Sequence, residues 1–383
     1  MPLNQTHVIV VPANNHIALN VIRSLGRSGC YVTAISTGSY IAHTSRYCSK
    51  VVFTRPDKLA EATYDAAKNA PGAFILCLGE LEILSLNERR EQLESVARLL
   101  FPDSKRFALA LYKERTLALA EQVGIPVPET VDLADDPQLL RCRELQFPVV
   151  IKPKSQDIFD FKVLYAESME SLTLQLDALK SQRDLLLIQE KISGDGVGIE
   201  ILMKDGKTVL AFQHRRIRED PPSGGYSVCC ESEPVDQTLL EYSEKLLAAM
   251  DWDGVAMVEF KVNPVTGRVA LMEVNGRFWG SLPLAIHAGA DFPSALVACN
   301  LPEPMAKLPP YRVHLRCRRL IGETKWLVLV VKQRTVPIWK AIAAYLWDFR
   351  PGVKYFIWAW DDPRPALHAL LKRAGLTASI VPE

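Results

Sequence analysis

The side chains best suited to chemistry lie between residues 254 and 280, where two short apolar segments each carry one acid. The segments VAMVEFKV and RVALMEV are rich in β-branched residues and flank an Asn-Pro turn, so we predict a β-hairpin. Side chains alternate between the two faces of a strand, which puts Glu259 on one side of the first strand. Glu273 and Asn275 share one side of the second strand, so the three oxygen-bearing side chains are expected to converge.

A carboxylate inside an apolar strand is costly to bury unless a cation pairs with it. Two such acids on facing strands, with an Asn nearby, favour a hard divalent cation, and Mg²⁺ binds carboxylates while leaving positions open for phosphate oxygens. The same alternation predicts that Leu271 lies on the face of Glu273. The alternative is a solvent-facing hairpin edge with scattered acids.

Composition excludes several classes of protein. The chain has 383 residues, enough for two or three domains, and its 48% hydrophobic content supports well-formed cores. Its 45 Lys and Arg balance 44 Asp and Glu, so no overall field favours nucleic acid. Eight scattered cysteines show neither CxxC pairs nor zinc spacing, which favours free thiols and a cytoplasmic protein. There is no signal-peptide pattern and no apolar run long enough for a spanning helix.

The N-terminal stretch has the pattern of a parallel α/β domain. We predict a strand at 7–12, a helix at 17–28 and a strand at 30–36. The first turn lacks the G-x-G-x-x-G of dinucleotide-binding domains. Glu80 and Glu82 follow a later strand at its carboxyl end, where open α/β sheets bind ligands, although acids are also common at the start of a helix.

Two lysines precede the hairpin in positions of interest. Lys113 begins a predicted helix that ends at Gly124, before two prolines. Lys152 lies within the apolar strand FPVVIKP, where an unpaired ammonium would be expensive, so we expect it to meet an anion.

The middle of the chain contains further strands. The segment LLLIQE ends at Glu190, and a glycine-rich step leads into a strand that carries Glu200 inward or at its rim. A strand predicted at 209–216 ends in two arginines, and the composition of 221–226 predicts a mobile loop.

In their order and spacing these pieces resemble the ATP-grasp superfamily. The resemblance covers residues 113 to 292 and rests on five signatures: the lysine of KERTLALAEQVGIPVPET, the strand lysine of VVIKP, the segment QEKI, the glycine-rich step to Glu200, and the acidic strands that close in EVNGRFWG. The first hundred or so residues resemble the domain that usually precedes an ATP-grasp body.

The resemblance implies ATP and one or two Mg²⁺ ions as cofactors, and a role for each matched residue. Lys113 and Lys152 would hold the phosphates of ATP. The adenine pocket would be lined by Glu190, Lys191 and Ile192, and Glu200 would reach the ribose hydroxyls. The metal ligands would be Glu259, Glu273 and Asn275. Arg277 would face the transferring phosphoryl group, unless it pairs with a neighbouring acid.

The chain departs from the family pattern after the strand lysine. Family members usually have a glycine-rich loop over the phosphates there, whereas this chain has KPKSQDIFDFKVLY without a glycine. Either this loop is stiff, or other residues such as Lys154 or Lys162 make its contacts.

A basic and aromatic extension follows residue 310. Residues 311–354 contain ten Lys and Arg against two acids, and five tryptophans lie at positions 326, 339, 347, 358 and 360. Three roles remain open for it: a cap packed on the body, a homodimer surface, or an amphipathic patch on a membrane face.

The fold class predicted is α/β with three parts. They are an N-terminal doubly wound domain at 1–110, a two-lobed ATP-grasp body at 111–310, and a mainly helical extension at 311–383. The small lobe of the body would end near residue 190 and the large lobe would begin near 191.

The predicted function is that of a ligase that activates a carboxylate as an acyl phosphate and passes the acyl group to an amine or similar nucleophile. Arg215, Arg216 and the loop Ser223–Tyr226 are candidates for holding the substrate carboxylate, because an arginine fork suits a carboxylate. One alternative is phosphorylation of bicarbonate or carbamate, as in relatives of carbamoyl-phosphate synthase. Another is a nucleotide-binding regulator without chemistry.

Overall fold

The computed structural model describes residues 3–4, 6–38, 41–154, 161, 163–222, 225–303, 308–334 and 336–373. Its strands form three sheets, which follow one another along the chain. Among the described residues, none of the helices has the length and apolar character needed to cross a bilayer.

The first sheet is parallel and has five strands in the order β3-β2-β1-β4-β5. Its strands are β1 (His7–Val11), β2 (Tyr31–Ser36), β3 (Lys50–Phe53), β4 (Phe74–Cys77) and β5 (Arg98–Leu99), and the helices of this part are α1 (His16–Arg27), α2 (Leu59–Lys68), α3 (Glu80–Asn87), α4 (Arg90–Glu94) and α5 (Ser104–Leu111). The first strand is buried on both faces, as its continuous apolar sequence requires. This confirms the predicted doubly wound domain.

The second sheet is small and antiparallel, with the strand order β6-β9-β7-β8. Helix α6 (Lys113–Gln122) precedes this lobe and packs in the apolar core of the third sheet. The elements of the lobe itself are β6 (Thr130–Asp132), β7 (Val149–Pro153), β8 (Leu164–Ala166), α7 (Met169–Ala178) and β9 (Leu186–Glu190). Its own apolar core lies between the sheet and α7. The chain leaves this lobe at the end of β9 and passes directly into the third sheet.

The third sheet is the largest, with seven strands in the order β14-β13-β10-β11-β12-β15-β16. Its body elements are β10 (Asp195–Lys204), β11 (Lys207–Asp220), β12 (Tyr226–Glu233), α8 (Gln237–Ala249), β13 (Gly254–Val262), β14 (Val269–Asn275), α9 (Leu282–Ala288) and α10 (Phe292–Ala298). The strand predicted to end at Arg216 continues to Asp220, so the two arginines lie within a strand and not at its end.

The C-terminal extension is not purely helical, because it adds two short strands to this third sheet. Its elements are β15 (Arg316–Arg318), α11 (Leu320–Gln333), α12 (Ile338–Trp347), β16 (Lys354–Tyr355) and α13 (Arg364–Arg373). One buried apolar cluster contains Val10 of β1, Trp279 of the body and Phe356 of the extension. The N-terminal domain, the body and the extension therefore share a core.

Candidate active site

The predicted hairpin is β13 and β14, and its register brings the two acids together. Glu259 lies directly opposite Glu273, and Met257 lies opposite Asn275. A β-bulge follows Glu259, so Phe260 pairs with Leu271 and Met272 is the extra residue. Leu271 consequently lies on the opposite face from Glu273, in an apolar cluster with Phe260. The prediction that Leu271 shares a face with Glu273 was wrong, because simple alternation does not survive a bulge.

Glu259, Glu273 and Asn275 meet at one point on the sheet surface. Asn275 Nδ2 lies 3.4 Å from Glu259 Oε1 and 3.2 Å from Glu273 Oε1. Two carboxylates and an amide oxygen are a donor set that fits Mg²⁺, and an amide can present either its nitrogen or its oxygen by rotating. The structure therefore brings the three predicted metal ligands together.

The two facing carboxylates differ in their electrostatics. Burial raises the pKa of Glu259, and the neighbouring Glu273 charge adds to this rise while Arg216 opposes it. Burial would also raise the pKa of Glu273, but Lys113, Arg216 and Lys152 together bring that pKa below its usual value. Cations from three elements therefore favour the ionised form of Glu273. The negative charge of Glu273 in turn makes ionisation of Glu259 less favourable.

Arg216 belongs to this acidic site. Its Nη2 pairs with Glu259 Oε2, and its Nη1 lies 2.8 Å from Glu219 Oε1 and 3.3 Å from the carbonyl oxygen of Gly225. Arg216 thus bridges the acids of the hairpin and the described end of the loop between β11 and β12. Two other members of that loop, Ser223 and Gly224, lie outside the described residues.

Arg215 does not belong to the site. It follows His214 and precedes Arg216 on β11, so its side chain lies on the other face of the sheet. There its Nε donates a hydrogen bond to Glu233 Oε1 at 2.7 Å. The prediction that Arg215 and Arg216 hold one carboxylate together is incompatible with this alternation, and Arg216 alone remains a candidate.

Two glycines of β10 make room for the side chains of β11. A Cβ at Gly198 would lie 2.5 Å from His214 Cε1, and a Cβ at Gly196 would lie 3.2 Å from Arg216 Cδ. Strand β10 lies between β11 and β13, so Arg216 must cross it to reach Glu259. The glycine-rich step predicted as a tight connection therefore also has this second role, which the sequence pattern alone did not reveal.

Glu200 points inward and is fully buried (0% exposed). Its Oε1 lies 2.5 Å from His214 Nδ1 and 3.5 Å from Ser281 Oγ, and burial raises its pKa. A side chain in this position has no surface to offer a ribose, so the predicted ribose contact does not agree with the structure. His214 was missed in the sequence because its pairing with Glu200 depends on the register of β10 and β11.

Lys152 approaches the acids from the small lobe, and Lys113 approaches them from α6, which packs on β14. Lys152 Nζ donates a hydrogen bond to Gln189 Oε1 at 2.7 Å, and burial lowers the pKa of Lys152 to about 8, against the opposing effect of Glu273. Lys113 is the first residue of α6, as predicted, and it lines a small cavity with Glu273 and Glu80. Lys152 thus faces the acids from the small lobe, whereas Lys113 lies beside Glu273 on the large lobe.

Only some of the residues that could replace the missing glycine-rich loop lie in the described part of the chain. Lys154 Nζ forms an ion pair with Asp132 Oδ1 at 2.7 Å, so its ammonium already has a carboxylate partner. Lys162 and residues 155–160 lie outside the described residues.

The three predicted adenine-pocket residues lie where the chain crosses from the small sheet to the large one. Glu190 ends β9, and its Oε1 accepts a hydrogen bond from the backbone N–H of Glu129 at 2.9 Å and pairs with Arg268. Lys191 is exposed, with Nζ 5.4 Å from the centre of the Tyr165 ring, and Ile192 is buried. The crossing therefore combines the buried apolar side chain of Ile192 with the exposed polar side chain of Lys191.

Arg277 forms an ion pair between the body and the N-terminal domain. Its Nε and Nη2 lie 3.0 and 2.6 Å from Glu80 Oε1. Glu80 is the first residue of α3, at the carboxyl end of β4. The pairing of Arg277 with an acid, kept open in the sequence, is the arrangement found. Because Glu80 lines the same cavity as Lys113 and Glu273, this pair lies at the edge of the site.

A parallel N-terminal sheet, a small antiparallel lobe and a larger lobe that carries paired acids agree with the predicted resemblance to the ATP-grasp superfamily. Residues 182–322 match a family model described as ATP-grasp in the biosynthetic pathway with Ter operon.

Several solved structures share this fold at low sequence identity. An ADP complex of purK, N5-carboxyaminoimidazole ribonucleotide synthetase, is 15% identical, with a TM-score of 0.68 over 87% of this chain and 86% of that one. The biotin carboxylase domain of 2-oxoglutarate carboxylase from Hydrogenobacter thermophilus, in complex with MgADP, ADP and bicarbonate, is 17% identical, with a TM-score of 0.65 over 81% and 73%. L-amino acid ligase from Bacillus licheniformis is 15% identical, with a TM-score of 0.58 over 77% and 73%.

Among curated proteins, the large chain of carbamoyl phosphate synthase from Archaeoglobus fulgidus is 26% identical over 235 residues, which cover 56% of this chain. The match spans only 20% of that relative's length.

Proposed function

We propose that the protein is an ATP- and Mg²⁺-dependent ligase that activates a carboxylate as an acyl phosphate and transfers the acyl group to an amine or similar nucleophile. The observation that supports this most is the meeting of Glu259, Glu273 and Asn275 on one face. The charges of Lys113 on α6 and of Lys152 on the small lobe act on Glu273 there. A set of acids opposed by lysines is suited to holding a metal-bound polyphosphate.

Glu259, Glu273 and Asn275 would hold one or two Mg²⁺ ions, which, when bound, neutralise charge on the phosphate oxygens of ATP. Lys113 and Lys152 would orient the phosphates, and the backbone of Glu190 to Ile192 would contact the adenine. In the protein without ligands Arg216 pairs with Glu259. When Mg²⁺ binds, Glu259 would contact the metal and the pair with Arg216 would break. This leaves the Arg216 guanidinium for the carboxylate of the substrate.

The chemistry needs no protein nucleophile. A carboxylate oxygen of the substrate would attack the γ-phosphorus of ATP, the bond from that phosphorus to the β,γ-bridging oxygen would break, and ADP would leave. The amine would then attack the acyl carbon, lose a proton and expel inorganic phosphate. The protein supplies orientation and charge neutralisation for both steps. All eight cysteines are free, in keeping with a reducing compartment such as the cytosol.

The test is a screen for ADP release over a library of carboxylates paired with amines. We expect ADP and phosphate as products, and a hydroxamate when hydroxylamine replaces the amine, because an acyl phosphate is electrophilic at its carbonyl carbon. The Glu273→Gln variant should be inactive, while Glu241→Gln, an exposed position on α8, serves as the matched control. AMP and pyrophosphate as the main products would contradict the proposal, and tight ATP binding without turnover on any acid would favour a regulator.

A second candidate function is phosphorylation of bicarbonate or carbamate. It is favoured by the similarity to part of a carbamoyl phosphate synthase and to a carboxylase domain whose structure contains bicarbonate. The same assay separates the two functions. ATP turnover that requires bicarbonate and ammonia, and no organic acid, would select the second.

A further inference from the structure

The C-terminal helices α11 and α12 present an unusually apolar surface to solvent. We call the exposed side of residues 320–349 the two-helix face. Of the 23 exposed large apolar side chains among the described residues, ten lie within these thirty positions. They are Leu320, Val328, Val331, Val336, Ile338, Trp339, Ile342, Leu346, Trp347 and Phe349. A concentration of this kind marks a contact surface.

Helix α12 contributes the most apolar part of this face. Ala341 is its only buried residue, although Lys340 is the only charged residue in the helix. Trp339 and Trp347 are 68% and 65% exposed, and Ile342 and Leu346 lie between them at helical spacing. These four side chains therefore form one continuous apolar stripe.

The acids and the cations of the two helices differ in their exposure to solvent. The acids Glu323 and Asp348 are both fully buried, where they pair with Arg218 of β11 and with other arginines of the extension. The exposed charges at 320–349 are Lys325, Lys332, Arg334 and Lys340, with no acid among the described residues there. Nothing negative thus offsets the cations on the two-helix face.

The exposed tryptophans lie next to cations, and the helices are firmly attached. Lys340 Nζ lies 5.5 Å from the Trp339 ring, and the Arg350 guanidinium lies 5.4 Å from the Trp347 ring. Arg218 Nη2 donates a hydrogen bond to the carbonyl oxygen of Ala344 at 3.0 Å, so α12 is held on the strand that also carries Arg216. The orientation of the apolar stripe is therefore set by buried contacts.

We propose that the two-helix face docks on an anionic lipid surface. Tryptophan beside lysine or arginine is the composition that favours the boundary between headgroups and acyl chains, and exposed cations without acids complement anionic lipids. Helix α12 is about 15 Å long, half of the hydrocarbon thickness, so it would lie in the membrane plane.

A second copy of the chain is a poorer occupant of this surface. In a twofold-symmetric dimer the same patch meets itself, so Lys325, Lys332, Arg334 and Lys340 would oppose their own copies without an acid between them. A membrane surface instead satisfies the cations and the apolar stripe together. This docking is independent of the catalytic proposal, since none of these residues is in the acidic site.

The test uses the full-length protein and sedimentation with vesicles. We expect binding to vesicles that contain phosphatidylglycerol, little binding to pure phosphatidylcholine, and release at high salt. The double variant Trp339→Ala/Trp347→Ala should bind more than about ten-fold more weakly. Changing Lys332, Arg334 and Lys340 to Gln should weaken binding by on the order of a hundred-fold, or about five-fold for each cation. The substituted side chains are exposed, so the fold should be unaffected.

Trp360→Ala is the matched control. Trp360 is 88% exposed, but it lies outside the two helices, next to Asp361, which pairs with Arg27 of the N-terminal domain. We expect this variant to bind as the parent does. Equal binding to both lipids, or unchanged binding by the tryptophan double variant, would overturn the proposal. A parent that dimerises with rising concentration, and a double variant that stays monomeric, would assign the face to a second copy instead.

Discussion

Glu259 and Glu273 face each other at the same register yet have different environments. Glu259 pairs with Arg216 and has a raised pKa because it is buried beside a second acid. Glu273 is within the influence of three cations, which lower its pKa against the effect of burial. The surroundings therefore favour the ionised form of Glu273 more than that of Glu259, and loss of Glu273 should have the larger effect on metal binding.

The first prediction concerns this residue. Glu273→Gln should reduce turnover at least about a hundred-fold, because even residues that only support metal ligands are worth about 10–100-fold. The amide is isosteric and lies at a sheet surface, so the melting temperature should change little. Measurement of ADP release and of thermal unfolding, with Glu241→Gln as control, checks both parts. Near-normal turnover would remove the metal assignment.

The second prediction follows from the lowered pKa of Lys152, about 8. In the free protein Lys152 loses its proton as the pH rises through 8, whereas phosphate oxygens would keep it charged. ATP affinity should therefore fall above pH 8, by up to about ten-fold per pH unit. Lys152→Arg should remove this dependence, because its charge persists. Lys152→Met should bind ATP about 1–3 kcal/mol more weakly at pH 7.

Calorimetric titration of ATP between pH 7 and 9.5 would measure these affinities. This pH range extends about one unit or more on each side of the expected midpoint. A parent affinity that is flat with pH, with Lys152→Met unchanged, would make Lys152 a structural residue.

At the residue scale, the sequence predicted which side chains of a single strand share a face, because side chains alternate along a strand. Glu273 and Asn275, two residues apart on β14, were placed correctly on one side. The same rule, applied to Arg215 and Arg216, would have separated them. Glu200 and His214 could not be paired in this way, because their contact depends on the register between two strands, which the local pattern does not specify.

At the scale of elements, β10 combines a structural and a functional constraint. It lies between β11 and β13, and its glycines let Arg216 and His214 lie across it. The strand would be more stable alone with larger residues, since glycine weakens a strand interior. We infer that the space above β10 is reserved for the side chains of β11.

The third prediction tests this space. Gly198→Ala should push His214 away from Glu200, because the new Cβ would lie 2.5 Å from His214 Cε1. Inserting a methyl group into a packed site costs about 1–3 kcal/mol, and the loss should appear in the free energy of unfolding. Gly280→Ala is the matched control, since no atom lies within 4 Å of its added Cβ. Equal stability of the two variants in urea titrations would show that His214 moves freely.

The bulge after Glu259 shows what the sequence of an element leaves open. The hairpin, its two strands and the paired acids were predictable from β-branched residues and turn signals. The extra residue, Met272, was not, because RVALMEV alternates acceptably with or without a bulge. The bulge lets Leu271 enter the core while Glu273 stays at the surface of the site.

At the scale of the whole molecule, the extension links parts that are distant in sequence. Its strands β15 and β16 complete the large sheet, and Phe356 lies in the core shared with Val10 and Trp279. Asp362 is fully buried and accepts hydrogen bonds from Arg23 Nε at 2.9 Å and from Ser45 Oγ at 2.6 Å. Composition identified this region as a distinct segment, but it did not reveal these long-range contacts.

The fourth prediction follows from those contacts. A chain that stops at residue 310 should lose the outer strands of the large sheet, the Asp362 partner of Arg23 and the part of the shared core that Phe356 fills, so apolar surface would be exposed. Because typical domains are stable by only about 5–15 kcal/mol, this chain should aggregate on expression or unfold at a much lower temperature. A chain that stops at Arg373 keeps every described contact and is the control. If instead the shorter chain is monomeric, melts like the control and releases ADP with the same acid and amine, then the shared core around Phe356 contributes little, and the N-terminal domain and ATP-grasp body are sufficient to fold and to act.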